Sequence, residues 1–167
     1  MKTKRSPMFG LIGLLAVASC AARQEVSNLS ASQKNGEVQT ANVQVITLTQ
    51  TGCQFLEVES QDYRFSTTSA ADCREINAET MGDRQSGFKP LQLAPGEYIF
   101  RITNQNVPYE LGFYLRGEGL SQATLPKVSG GGLLEGKTQD YRVTLKPGSY
   151  VFSCPLNPTP DYPITVQ

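Results

Sequence analysis

The C-terminal segment Lys137–Gln167 constrains the fold of this chain more than any other stretch, because strand patterns and turn residues alternate through it. Apolar and polar residues alternate over Thr138–Leu145, which predicts a half-buried strand. Lys146-Pro147-Gly148 has turn composition, since proline fixes φ and glycine tolerates a positive φ. Ser149–Cys154 is a second predicted strand, and Tyr162–Val166 is a third, beyond a proline-rich loop. The end of the chain is therefore predicted to be β-structure.

The upstream part of the chain has the same character, with one exception. Val43–Gln50 is rich in β-branched and apolar residues and predicts a strand, and Cys53–Val58 predicts a second short extended piece. Ser69 is a suitable helix N-cap with Asp72 at the third helical position, and the residues up to a stop at Gly82 suit two to three turns. We therefore expect one short helix inserted in an otherwise all-β chain.

An internal repeat supports a two-sheet arrangement. Leu93–Phe100 and Leu145–Phe152 share the pattern Leu-x-Pro-Gly-x-Tyr-Ile/Val-Phe, which predicts two hairpin-like units. Tyr109–Arg116 is a further predicted strand. The segment Gly117–Gly136, with the run Gly130–Gly132 inside it, is predicted to be a long flexible loop, since it lacks the ending of a phosphate-binding motif. Short strands separated by turn signals predict an all-β sandwich.

The N-terminus has the pattern of a bacterial lipoprotein. Met1–Ser19 combines a basic start, an apolar run and small residues, which is typical of a secretory signal and too short for a membrane span. The residues Val17-Ala18-Ser19-Cys20 resemble a lipobox, in which the cysteine becomes the lipidated first residue. Acyl chains such as palmitate on Cys20 would hold the protein on a bilayer. The alternative is an ordinary secreted protein with a coincidental cysteine.

The residues after Cys20 suggest where such an anchor would lie. Ala21 is not the aspartate that retains lipoproteins in the inner membrane, so the resemblance implies the outer membrane of a bacterial envelope, facing the periplasm. Ala21–Ala41 is polar and has no aromatic residue, so we expect a lipidated N-terminus and flexible tether over residues 20–41 and a folded domain over residues 42–167.

Removal of the signal also changes the net charge. The full chain has 15 basic and 15 acidic residues, and three of the basic ones (Lys2, Lys4 and Arg5) lie in the signal. The mature chain therefore has 12 basic and 15 acidic residues, a net charge of −3. A mildly acidic chain without a basic cluster argues against nucleic acid as a partner.

Two stretches of the chain resemble the cupredoxins, the blue-copper β-sandwich proteins. A strand that ends in Cys154, then a loop and a closing strand, is similar to the cupredoxin C-terminus, where that loop carries a histidine and usually a methionine to copper. A strand that ends in Asn104, followed by Val107-Pro108, resembles the approach to the first histidine ligand, and Tyr109 occupies the ligand position. The resemblance implies a cupredoxin-like Greek-key β-sandwich.

The resemblance does not extend to the copper ligands. The loop after Cys154 contains Asn157, Thr159 and Asp161 in place of histidine and methionine, and the chain has no histidine at all. A blue-copper site needs two imidazoles and a thiolate. A Cu(I) site would need more sulfur than Cys154, and Met81 is the only methionine beyond the signal. We therefore predict no metal and no other cofactor, with Tyr109 and Cys154 marking degenerate copper-site positions.

The three cysteines beyond the signal suit an oxidising compartment. Three single pairings are open, and Cys53–Cys73 is the predicted disulfide because it would join the helix-bearing insertion to the strand beside it. Closing a loop of about 20 residues stabilises a fold by roughly 3 kcal/mol in the chain-entropy model. Three free thiols are the alternative. Cys154 is predicted to be a buried core thiol rather than a reactive one, since no basic residue lies close to it in sequence.

Two classes of function remain open, and a third, an enzyme, is the weakest. The first is a lipid-anchored, copper-free binding or accessory module that contacts an envelope protein through a tyrosine patch of Tyr109, Tyr114 and Tyr162, although ordinary packing explains these residues equally well. The second is a periplasmic copper-handling or electron-transfer protein with an atypical site at Cys154. An enzyme is not predicted, because a serine–histidine arrangement is impossible here and Glu110 with Asp161 is more simply a solvated surface.

Overall fold

A computed structural model describes residues 42–167, and within this range nine strands form two sheets. A single α-helix of this range, α1 (Ala70–Gln85), lies between the second and third strands. The strands are β1 (Gln44–Thr51), β2 (Gln54–Phe55), β3 (Leu91–Leu93), β4 (Gly96–Asn104), β5 (Leu111–Gly117), β6 (Val128–Leu133), β7 (Thr138–Leu145), β8 (Gly148–Ser153) and β9 (Tyr162–Val166).

The strand order confirms the predicted all-β sandwich. One sheet has the order β2-β1-β4-β7 and the other has the order β3-β9-β8-β5-β6. In the first sheet, β1 runs parallel to β4 with Gln44 opposite Tyr98 and Gln50 opposite Asn104, and β7 pairs with β4 in the antiparallel sense. In the second sheet, the short β3 runs parallel to β9.

The core between the sheets is rich in aromatic side chains. Phe55, Phe100, Phe113, Phe152 and Tyr162 are each at most 1% exposed. Phe113 lies 5.4 Å from Phe100 and 5.8 Å from Phe152 between ring centroids, so it links the two sheets directly. Such rings bury large apolar areas, and close pairs add about 0.5–1.5 kcal/mol beyond that burial.

The two Pro-Gly repeats do not form hairpins, so that prediction is wrong. Each repeat carries the chain from one sheet to the other, because β3 and β8 lie in one sheet while β4 and β7 lie in the other. A tyrosine fixes each crossing from inside the core. The Tyr98 hydroxyl donates to Ala94 O at 2.9 Å, and the Tyr150 hydroxyl donates to Lys146 O at 2.9 Å while accepting from Lys146 N at 3.1 Å. Each repeat is thus a tyrosine corner, in which a buried tyrosine bonds to the backbone four residues upstream.

The helix begins as predicted but is longer than predicted. Ser69 is the N-cap and forms a capping box with Asp72, whose carboxylate accepts from the Ser69 backbone N–H at 3.1 Å. The predicted stop at Gly82 is wrong, because the helix continues to Gln85. Arg84 provides the reason: its side chain is buried and ion-paired, which holds the last turn in place.

Two other segments also differ from the prediction. The extended piece predicted over Cys53–Val58 is only partly a strand, since a 3-10 turn at Leu56–Val58 follows β2. The predicted loop Gly117–Gly136 contains a 3-10 helix at Gly119–Ala123 and the whole of β6, which includes the glycine run. Glycine has low strand propensity, but contacts with β5 and β7 decide the structure here.

No helix within residues 42–167 is both long enough and apolar enough to span a bilayer. The predicted signal, the lipidation site Cys20 and the predicted tether lie outside the described residues.

Candidate functional site

Tyr109 and Cys154, which the sequence resemblance places at copper-ligand positions, lie close together at the ends of strands. Tyr109 precedes β5 by two residues, and Cys154 directly follows β8. Both contact Asn157, which lies in the loop between β8 and β9. The fold therefore brings together the residues that the cupredoxin resemblance marked, and it adds Asn157 as the residue that joins them.

Asn157 is fully buried and uses both ends of its side-chain amide. Its oxygen accepts from the Tyr109 hydroxyl at 2.9 Å and from Cys53 N at 3.2 Å, and its nitrogen donates to Thr51 O at 3.0 Å. The same oxygen lies 2.9 Å from the Cys73 sulfur, a contact without a hydrogen bond because that sulfur is in a disulfide. A buried amide must satisfy its donors and acceptors, and Asn157 does so here.

Cys154 is a free thiol in the core, as predicted. Its sulfur accepts hydrogen bonds from Gly112 N and Asn157 N, each at 3.3 Å. Burial raises the pKa of the Cys154 thiol, and the hydrogen bonds from these backbone groups oppose that shift only in part. The group is therefore a neutral thiol at neutral pH, and this form is a poor nucleophile and a poor metal ligand.

Tyr109 is half-buried and belongs to the same polar network. Besides Asn157, its hydroxyl lies 3.2 Å from Ser69 O and 3.3 Å from Thr67 Oγ1. Burial raises the pKa of Tyr109 further above its usual value, so the phenol remains protonated at neutral pH. A phenolate ligand is therefore absent under ordinary conditions.

The disulfide Cys53–Cys73 forms as predicted, with 5.1 Å between the Cα atoms. Cys53 lies in the two-residue turn between β1 and β2, and Cys73 lies in the first turn of α1. The bond therefore joins the inserted helix to the sandwich beside Asn157. Both half-cystines are fully buried.

The predicted tyrosine patch does not form, so that prediction is wrong. Tyr162 is 1% exposed and its hydroxyl donates to the Glu59 carboxylate inside the protein. Burial and the adjacent Glu59 carboxylate raise the pKa of Tyr162 far above its usual value. Tyr114 lies half-buried on β5, where the Arg116 guanidinium stacks 4.8 Å from its ring centroid. The three tyrosines therefore occupy three different environments.

A buried ion pair beneath the helix was not predicted from the sequence. Arg84 and Glu59 are each 1% exposed, and Arg84 Nε donates to Glu59 Oε2 at 3.0 Å. The guanidinium also donates to Cys53 O at 3.0 Å and to Asn77 Oδ1 at 2.7 Å. The rings of Tyr63 and Phe65 lie 5.4 Å and 5.1 Å from its central carbon. Every part of this buried charge is compensated, as burial of a guanidinium requires.

The carboxylates Glu110 and Asp161 do not form a catalytic pair. Glu110 accepts a hydrogen bond from Gly132 N at 2.7 Å, which fixes the glycine run to the start of β5. Asp161 pairs with Arg116 at 2.7 Å. Each carboxylate thus has a separate structural partner.

The donor set around Asn157 does not fit a blue-copper ion. The three positions hold a phenol, a neutral thiol and an amide, and none provides the imidazole nitrogen that the trigonal site requires. Among residues 42–167, no group of three or more histidine, cysteine, aspartate or glutamate side chains is arranged to hold a metal ion. The Asn157 amide oxygen already accepts hydrogen bonds from the Tyr109 hydroxyl and from Cys53 N.

Fold and site together define an all-β sandwich that carries a disulfide-linked helix and a hydrogen-bonded network around Asn157. Among solved structures, the chain is similar to auracyanin B, a cupredoxin, with 12% sequence identity and a TM-score of 0.42. The similarity covers 77% of this chain and 91% of that one. No protein-family model and no curated protein sequence matches the chain.

Proposed function

We propose that this protein is a copper-free, cupredoxin-like binding or accessory module, anchored by lipid to a bacterial envelope and neither an electron carrier nor an enzyme. The observation that carries the proposal is the network around Asn157. Residues at the ligand positions, Tyr109, Cys154 and Asn157, bond to one another and to the backbone. The groups that would meet a metal are thus used to build the core, which leaves the protein surface as the means of contact with other molecules.

Copper binding tests this proposal. Titration of the purified protein with Cu(II) should give no intense visible absorption, because the site lacks imidazole and its thiol is neutral. Tyr109→His should also stay colourless, since one imidazole and one thiolate do not complete the trigonal set. A strong band in the wild type that disappears in Cys154→Ser would overturn the proposal and favour the electron-transfer alternative.

The lipid anchor is proposed from the sequence around Cys20, and it needs a separate experiment. Cys20→Ser should abolish incorporation of a fatty-acid label and leave unprocessed precursor. Normal labelling and processing of this variant would exclude anchoring through Cys20. The copper titration is independent of this result, because the ligand positions lie in the sandwich.

A binding role predicts a stable partner in the envelope. Affinity purification of the anchored protein should recover a partner at constant stoichiometry, and chelation of copper should not change that recovery. Recovery that depends on added copper would instead support the copper-handling alternative.

A further inference from the structure

Helix α1 is attached to the sandwich with little apolar burial. Of its sixteen residues, only Cys73 and Arg84 are buried, and one of these is a half-cystine and the other an ion-paired arginine. Most helices in small domains are held by an apolar face. The docking of α1 therefore depends on a covalent bond and on a few polar contacts.

The N-terminal half of α1 lies over the loop that follows Cys154. Asn77 Nδ2 donates to Pro158 O at 2.6 Å, and the Cys73 sulfur contacts the amide oxygen of Asn157. The Tyr109 hydroxyl, which donates to Asn157 Oδ1, also lies 3.2 Å from Ser69 O at the start of the helix. The helix thus contacts Asn157, whose backbone N–H donates to the fully buried sulfur of Cys154.

The C-terminal half of α1 has an attachment of its own. Arg84 is bonded to Glu59 and to Cys53 O, both outside the helix, and these bonds do not require the disulfide. Loss of the disulfide would leave Arg84 as the buried attachment of α1 to the sandwich.

We propose that α1 is a redox-gated lid over Cys154. While Cys53–Cys73 is oxidised, the N-terminal half of the helix is fixed and the Cys154 thiol is concealed. A dithiol reductant supplies two electrons and two protons, which convert the disulfide into two thiols while the dithiol becomes a disulfide. The N-terminal half of α1 then detaches about Arg84, and Cys154 becomes accessible. The proposal depends neither on the absence of copper nor on the lipid anchor.

Alkylation of Cys154 under native conditions tests the lid. In Cys53→Ser/Cys73→Ser, Cys154 is the only thiol within residues 42–167. Iodoacetamide should modify it roughly tenfold faster or more than in the oxidised wild type, because local opening requires less free energy than global unfolding. Amide exchange should accelerate over Ala70–Asn77, while the strands keep their protection. Reduction of the wild type by dithiothreitol, followed by mass spectrometry of the Cys154 peptide, gives the same test without a variant.

A matched control separates lid opening from general instability. Ile164→Ala makes a cavity in β9 and keeps the disulfide, and its unfolding midpoint in urea can be compared with that of the double variant. Cys154 should stay concealed in Ile164→Ala. If Cys154 is alkylated as fast in Ile164→Ala as in the double variant, the lid proposal is wrong. It is also wrong if alkylation of Cys154 in both the double variant and the reduced wild type is no faster than in the oxidised protein.

Discussion

Two buried polar side chains, Asn157 and Arg84, connect segments that are far apart in sequence. Asn157 bonds to Thr51, Cys53 and Tyr109, and Arg84 bonds to Glu59 and Cys53. Neither role could be predicted from the sequence, because an asparagine in a proline-rich loop and an arginine in a polar helix are ordinary surface patterns. The sequence did place Tyr109 and Cys154 in one site, since the motifs around each of them resemble those around cupredoxin ligands. The residue that joins them is defined only by long-range contacts.

Arg84→Met tests how much the buried ion pair contributes to the free energy of unfolding. The change leaves Glu59 charged and 1% exposed without its partner, so the free energy of unfolding should fall by about 3–5 kcal/mol. Urea unfolding measures this loss. Arg101→Met is the matched control, because Arg101 pairs with Asp140 on the surface, where the two side chains are 46% and 42% exposed. This control should leave the midpoint of urea unfolding nearly unchanged. A comparable loss of unfolding free energy in both variants would contradict the large contribution expected from the buried ion pair.

Among the elements, β6 shows how glycine can build a strand. A Cβ on Gly130 would lie 3.0 Å from the Tyr141 ring, and one on Gly131 would lie 2.8 Å from Glu110 Oε1. Across the β5–β6 pair, a Cβ on Gly112 would lie 2.6 Å from Gly130 O. Local propensity predicted a loop here, because it does not register such close approaches. The same limit explains α1, which passes Gly82 because Arg84 is anchored beyond it.

Two glycine-to-alanine substitutions should therefore have opposite signs. Gly112→Ala places a methyl group against backbone, so we expect a loss of about 1–3 kcal/mol in unfolding free energy. Gly82→Ala meets no atom within 4 Å and lies in the last turn of α1, so a gain of up to about 0.5–1 kcal/mol should follow from helix propensity. Thermal and urea unfolding of both proteins measure the two effects. Destabilisation by Gly82→Ala would show that α1 is packed more tightly there than the structure indicates.

At the scale of the whole molecule, the two sheets are connected by a pair of tyrosine corners at one end of the sandwich. The corners are neighbours, because Gly96 of the first is opposite Leu145 of the second in the β4–β7 pair. The sequence predicted the turns and their repetition correctly. It could not predict that they cross between sheets, because the same Pro-Gly pattern also suits a hairpin. The choice is made by distant pairings, β1 with β4 and β3 with β9.

This arrangement predicts that the hydroxyls of Tyr98 and Tyr150 contribute unequally to the free energy of unfolding and that their contributions are coupled. Tyr98→Phe removes one hydrogen bond, to Ala94 O, and should reduce the free energy of unfolding by about 1 kcal/mol. Tyr150→Phe removes two, with Lys146 N and Lys146 O, and should reduce it by about 1–2 kcal/mol. The two corners share one strand pair, so loss of the first hydroxyl lets the sheets separate slightly. The hydroxyl of the second corner then contributes less to the free energy of unfolding. A double-mutant cycle by urea unfolding should therefore give a double variant that loses about 0.5 kcal/mol less than the sum. Strict additivity would mean that each corner holds its own crossing independently, although the two lie side by side.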